Sequence, residues 1–210
     1  MSYLQSRWMA GALLFAGLSC NLYAVDGVIL IDQNRALAGN VTPGDAPGFP
    51  VTISQPGSYR LQGTLRVPVD TTAIEIASDD VTIDLNGFAM FGDSSGPYQT
   101  VGAIVDAGRR TRITIHNGSI AGFSAGIYLR TSSHVIVEHM NVYLIVGFYA
   151  GGIVIGNTLS SNAIIRENIS VGMIQVTCPA LITNNVATAY EFENPIGGGA
   201  CVTSNNVKAP

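Results

Sequence analysis

Lysine is nearly missing from this 210-residue chain: Lys208 is the only one, and charged residues of both signs make up 11% of the whole, with a net charge of −4. A surface that grips nucleic acid needs clustered Lys and Arg, so that class of partner is excluded. The one basic cluster, Arg109, Arg110 and Arg112, reads as a solvated loop. Cysteine is scarce as well, and the three histidines at 116, 134 and 139 have no companions at metal-ligand spacing. No metal centre or cofactor is expected from them. No Gly-rich loop precedes a helix to cradle a phosphate. Apolar residues recur at helical three-four spacing over no useful length, which excludes a helical bundle or helical repeat.

What is present is apolar and rich in glycine: 47% hydrophobic residues and 24 glycines. A chain of this size can bury a sizeable core, so the low charge does not imply disorder. The N-terminal stretch stands apart. Arg7 supplies a positive start, Trp8 to Leu18 are apolar, and Tyr23-Ala24 offers a cleavage site. Residues 1–24 are therefore expected to be a secretory signal peptide, the apolar run being too short for a bilayer of ~20 residues. The expected location is secreted or extracytoplasmic, with no transmembrane segment after signal removal. A lipid anchor at Cys20 is not expected, because Gly17 stands where a lipoprotein signal needs a large aliphatic residue. Cys178 and Cys201 remain in the mature chain. Export permits a disulfide between them, while two small buried hydrophobes are the alternative, and spacing alone does not choose.

Periodicity carries the fold. Five segments share a short apolar strand ending near an Asn: Ile113–Asn117, Val137–Asn141, Ile164–Asn168, Leu181–Asn185 and Val202–Asn206. These Asn residues are spaced by 24, 27, 17 and 21, and Asn86 lies 31 before the first. A second strand-like element precedes each unit, as in Ala73–Ile76, Ala103–Asp106, Gly126–Leu129, Gly152–Ile155 and Met173–Val176. Such self-similarity points to a solenoid. The units are β-branched and alternate apolar with polar residues, so the coils are β-strands stacked in parallel, ~4.8 Å apart. About six coils are expected over 73–210, with an N-terminal β cap at 25–72 covering the first edge.

Stacking assigns roles to repeated residues. Asn86, Asn117, Asn141, Asn168, Asn185 and Asn206 are expected to form a structural ladder at one corner, in left-handed geometry and bonded coil to coil. Phe91, Phe123, Phe148, Met173 and Tyr190 follow as a column of large side chains expected to fill the interior; an exposed sugar-stacking platform is the alternative. Sequons at Asn40, Asn117 and Asn168 are what chance gives in an Asn-rich chain.

Three stretches carry a family resemblance: Gly27–Gln33, Pro50–Arg60, and Thr72–Ile76 through Val81–Gly87. They resemble bacterial right-handed parallel β-helix repeat proteins of the pectin-lyase-like group. The resemblance implies a right-handed parallel β-helix. That group includes lyases, hydrolases, epimerases and glycan binders, so the fold does not set the function. A lyase would need Ca²⁺ held on carboxylates with an Arg or Lys base, and Ca²⁺ is expected only in that case. Of the hydrolase patterns, only Asp79-Asp80 appears, at a turn where Asp is common.

With apolar residues inward, Asp84, His116, Glu138 and Arg166 face outward from consecutive coils and form a candidate glycan-facing groove. Glu75, Tyr128 and Arg130 face outward on companion strands, with Asp106 nearby. The expected function is a secreted or cell-surface module binding a polysaccharide or partner, with no active-site motif that demonstrates catalysis. The alternatives are a polysaccharide lyase or glycoside hydrolase using this face, and a structural envelope module that associates end to end.

Overall fold

The computed structural model describes residues 27–93, 102–144, 151–156, 161–194 and 199–209. The expected signal segment 1–24, with Cys20, and Phe148 lie outside the described residues.

In chain order the elements open with β1 (Val28–Ile31), α1 (Gln33–Ala38), β2 (Val51–Ile53), β3 (Gly57–Leu61), β4 (Leu65–Arg66) and β5 (Ile74–Ile76). Next come β6 (Val81–Asp84), β7 (Ala89–Phe91), β8 (Gly102–Asp106), β9 (Thr111–Ala121), β10 (Ala125–Leu129) and β11 (Ser133–Tyr143). The series closes with β12 (Gly151–Ile155), β13 (Ala163–Arg166), β14 (Ile169–Thr177), β15 (Ala180–Thr183), β16 (Val186–Glu193), β17 (Val202–Ser204) and β18 (Val207–Lys208). Among the described residues the chain is all-β apart from α1, and its strand pairings are parallel.

The pairings sort into three stacks. Face A runs β1, β3, β6, the start of β9, the start of β11, β13, β15, β17. Face B runs β4, β7, the end of β9, the end of β11, the start of β14, the start of β16, β18. Face C runs β2, β5, β8, β10, β12, then the second halves of β14 and β16. The chain visits C, A and B in turn, so the sheet curls on itself as in a solenoid. The stacks begin earlier than the sequence pattern indicates: β2, β3 and β4 pair into all three faces, so 51–66 behaves as a coil rather than as part of a separate cap.

Alternation makes the core. On face A, Tyr59, Ile83, Ile115, Val137, Ile165 and Ile182 stack in register and all are buried. Each such side chain contributes about 1.5–3 kcal/mol on burial. Burial also pushes the Tyr59 hydroxyl up to about 12 while it donates to the Gln55 carbonyl.

Two columns of left-handed residues frame face A. Asp80, Arg112, His134 and Asn162 precede its strands; Asn86, Asn117, His139, Glu167, Asn184 and Asn205 follow them. The ladder is a separate row one residue beyond the second column, which corrects the expected set. Asn185 donates its Nδ2 to Asn206 Oδ1 and to the Ile165 carbonyl, while its own Oδ1 accepts from the backbone N–H and Nδ2 of Asn168. Asn168 in turn donates to the Val137 carbonyl and accepts from the Met140 N–H. The ladder thus holds Asn168, Asn185 and Asn206. In earlier coils the same row reads Gly118 and Met140, and the buried Leu85 occupies the space beside Gly118. Asn86 and Asn117 sit in the corner column, and Asn141 lies on the outward side of face B, because one extra residue separates it from the ladder position.

The column of large side chains also divides. Phe123 is buried, Met173 and Tyr190 are half-buried, and Phe91 is 41% exposed, pointing outward from face B. Cys178 and Cys201 form a disulfide.

At the first strands, side chains stand where a preceding strand would. Asp45 Oδ1 accepts from the Thr52 N–H, and Thr42 Oγ1 accepts from the Ser54 N–H while donating to the Thr52 carbonyl. The Gln33 amide pairs twice with the Arg66 backbone of β4.

Candidate functional site

The register of face A places Arg60, Asp84, His116, Glu138 and Arg166 side by side on five successive strands. The four residues expected in a groove therefore do share one outward row, and Arg60 joins them. Arg60 is absent from the expected set because the sequence pattern places its strand in the N-terminal cap. Its signal was there: Tyr59-Arg60-Leu61 repeats the in-out-in alternation of Ile83-Asp84-Leu85.

The row holds two groups of charge pairs, Arg60–Asp84–His116 and Glu138–Arg166. Arg60 Nε donates to Asp84 Oδ2 at 2.9 Å, and His116 Nδ1 lies 4.0 Å from Asp84 Oδ1. Arg166 donates from Nε and Nη2 to Glu138 Oε2 at 2.6 and 2.5 Å. Asp84 also accepts from the Asn86 N–H at 2.7 Å and from Asn117 Nδ2 at 3.1 Å. Burial alone would raise its carboxyl, but these hydrogen bonds, Arg60 and the charge of His116 outweigh it and hold Asp84 below the ordinary carboxylate range. A general acid must keep its proton near neutral pH; Asp84 is built to stay charged.

Two residues earlier on each strand a second outward row runs beside the first. It reads Ser58, Thr82 and Thr114, then Ile136, Ile164 and Leu181, so it turns from hydroxyl-bearing to aliphatic along the stack.

Glu75 and Tyr128 share a row on face C with Thr52, Val105, Val154, Gln175 and Glu191. Val105 and Val154 interrupt the polar residues there. Arg130 donates to the Tyr128 hydroxyl at 3.1 Å and stacks 5.7 Å from its ring. The Tyr128 hydroxyl raises the Arg130 guanidinium above its ordinary value, with a smaller contribution from Glu193. Asp106 Oδ2 accepts from the Thr131 N–H and from the hydroxyls of Thr131 and Ser132, which makes it a turn-holding residue. The candidate residues thus fall on two faces; side-chain pairs run from strand to strand on face A, whereas on face C Tyr128 is paired with Arg130 beyond the end of its own strand.

No protein-family model, curated protein or solved structure gives a match to this chain.

Asp79 and Asp80 have local partners. Asp79 accepts from the Thr111 N–H, and Asp80 pairs with Arg112 one strand on, at 2.8 Å from Nη2. The Arg112 hydrogen bond holds Asp80 below the usual carboxylate range. His139 pairs with Glu167 in the same fashion. These corner pairs tie successive coils together at left-handed positions. Among the described residues, no three His, Cys, Asp or Glu side chains gather as a metal site, and no helix is long and apolar enough to cross a membrane.

The arrangement offers a fixed line of donors and acceptors, one per strand, at a rise of ~4.8 Å. Arg60 and Arg166 at its two ends are each 48% exposed in their side chains. Such a line suits a linear polar ligand.

Proposed function

We propose that this chain is an exported module with a right-handed parallel β-helix of the pectin-lyase-like kind, and that it binds polysaccharide along face A without turning it over. The observation that supports this reading is the row Arg60–Asp84–His116–Glu138–Arg166, which presents one polar side chain per strand in register. A pre-paired row holds its geometry before a ligand arrives, so binding orders few side chains and costs less entropy. The same pairing leaves Asp84 charged at neutral pH, which favours recognition over acid catalysis. Export is supported by the Arg7-to-Ala24 sequence pattern.

The test is a panel of neutral and polyuronate glycans, with and without Ca²⁺, read for binding, unsaturated product and new reducing ends. Binding without product is expected, and Arg166→Ala should weaken it about tenfold, the scale of one charged hydrogen bond. Turnover that Glu138→Ala abolishes overturns the reading in favour of a lyase or hydrolase.

A further inference from the structure

Face B carries a second outward row that the first site does not use. Arg66, Phe91, Ala121 and Tyr143 stand in register on four successive strands. Phe91 is 41% and Tyr143 47% exposed, which puts two exposed aromatic rings on one outward row. Ala121 lies between them, so the two rings are separated by two strand spacings, about 10 Å, across a shallow step. Arg66 braces the first ring, its guanidinium carbon 5.7 Å from the Phe91 centroid. Ser119 and Asn141, neighbours in the adjacent outward row, place a hydroxyl and an amide beside the step.

We infer that this row is a stacking site for an uncharged glycan chain lying along the stack. The inference rests on the glycan-binding reading above and assigns it a second surface and a ligand class. Pyranose rings present a flat C–H face to an aromatic ring and hydroxyls at their edges. One strand spacing is close to the length of one sugar in an extended chain. Rings two strands apart therefore receive alternate sugars, and Ala121 leaves room for the one between. The contact set of Phe91, Ala121, Tyr143, Ser119 and Asn141 is uncharged. Arg66 stands at one end of the row, engaged on the Phe91 ring, and the step from Phe91 to Tyr143 holds no charge of its own. That matches a neutral chain, since a charged one would lie along most of its length without a counter-charge. Asn141, displaced from the ladder by one residue, gains a role here as a hydrogen-bonding amide at the edge of the platform.

The experiment compares the full chain with Phe91→Ala/Tyr143→Ala, Tyr143→Phe and Arg60→Ala/Arg166→Ala. Each is titrated with neutral β-linked glucan and mannan oligosaccharides and with a polyuronate, with melting curves run in parallel. Loss of at least tenfold in neutral-glycan affinity is expected for the double aromatic variant, with Tyr143→Phe close to wild type and melting unchanged. Neutral-glycan binding that survives in the double aromatic variant but disappears in Arg60→Ala/Arg166→Ala overturns this site while the face A reading stands. Binding of the polyuronate alone, unaffected by the aromatic substitutions, also overturns it. Neutral binding lost only with the aromatic pair supports this site and removes face A as the contact surface.

Discussion

At the residue scale the ladder asparagines matter because each side-chain amide is both donor and acceptor, and each is closed on both sides. Asn185 receives two hydrogen bonds from Asn168 and gives two, all buried except the partly buried one to Asn206. Truncating it removes the acceptor of the Asn168 N–H and of one Asn168 amide hydrogen, and the amide donor to the Ile165 carbonyl, and orphaned buried groups cost more than the bond itself was worth. Asn185→Ala is expected to lower stability by roughly 2–4 kcal/mol in a urea titration. Asn141→Ala, on the outer surface, should stay within about 0.5 kcal/mol. Equal effects would show that the two residues share a role. The sequence made these residues look equivalent because Asn suits two different jobs: it tolerates left-handed backbone, and its amide bridges coils. The structure divides the jobs between adjacent positions, filling the left-handed column with His139 and Glu167 where Asn is absent.

At the element scale, alternation within a strand made the outward row of face A legible. Val81-Thr-Ile-Asp and Ile113-Thr-Ile-His fix which side faces water, and parallel pairing then aligns Asp84 with His116. What alternation could not supply was the offset between coils at the turns. Between face A and face B the segment after Asp84 is two residues longer than the one after His116. Leu85 uses that extra length to reach inward beside Gly118. A Cβ at position 118 would sit 2.3 Å from the Leu85 Cβ and 2.7 Å from the Phe88 carbonyl oxygen, which is backbone and cannot swing away. Gly118→Ala is therefore expected to destabilise by about 1–3 kcal/mol, as overpacking does. A midpoint unchanged in denaturant would mean that the coils slide past each other more easily than their packing indicates. Phe91 was misplaced for a related reason: its strand ends outward, a fact set by register rather than by residue type.

At the scale of the whole molecule, the charge pairs along face A make stability depend on acid. Asp84 is held below its ordinary range in the folded chain, so on acidification the unfolded chain takes up its proton first. The stabilisation is fully present above the unfolded value near pH 4 and is lost as pH falls through the folded value. Thermal unfolding followed from pH 6 downward should show a flat region and then a decline below about pH 4. In Asp84→Asn the decline should be shallower. An identical slope would place the acid sensitivity elsewhere.

The side chains of Thr42, Asp45 and Gln33 that occupy the outer edges of β2 and β4 have a consequence for how this molecule meets others. A bare parallel edge is a template, able to recruit any extended segment and pass the pattern on, as fibrils do. Here the hydrogen-bonding groups that would copy the pattern are already spent on short side chains that present no strand of their own. On faces B and C propagation is stopped at that end by chemistry rather than by bulk. Mutations at these three polar positions should therefore surface first as a change in solubility on storage, before any loss of fold.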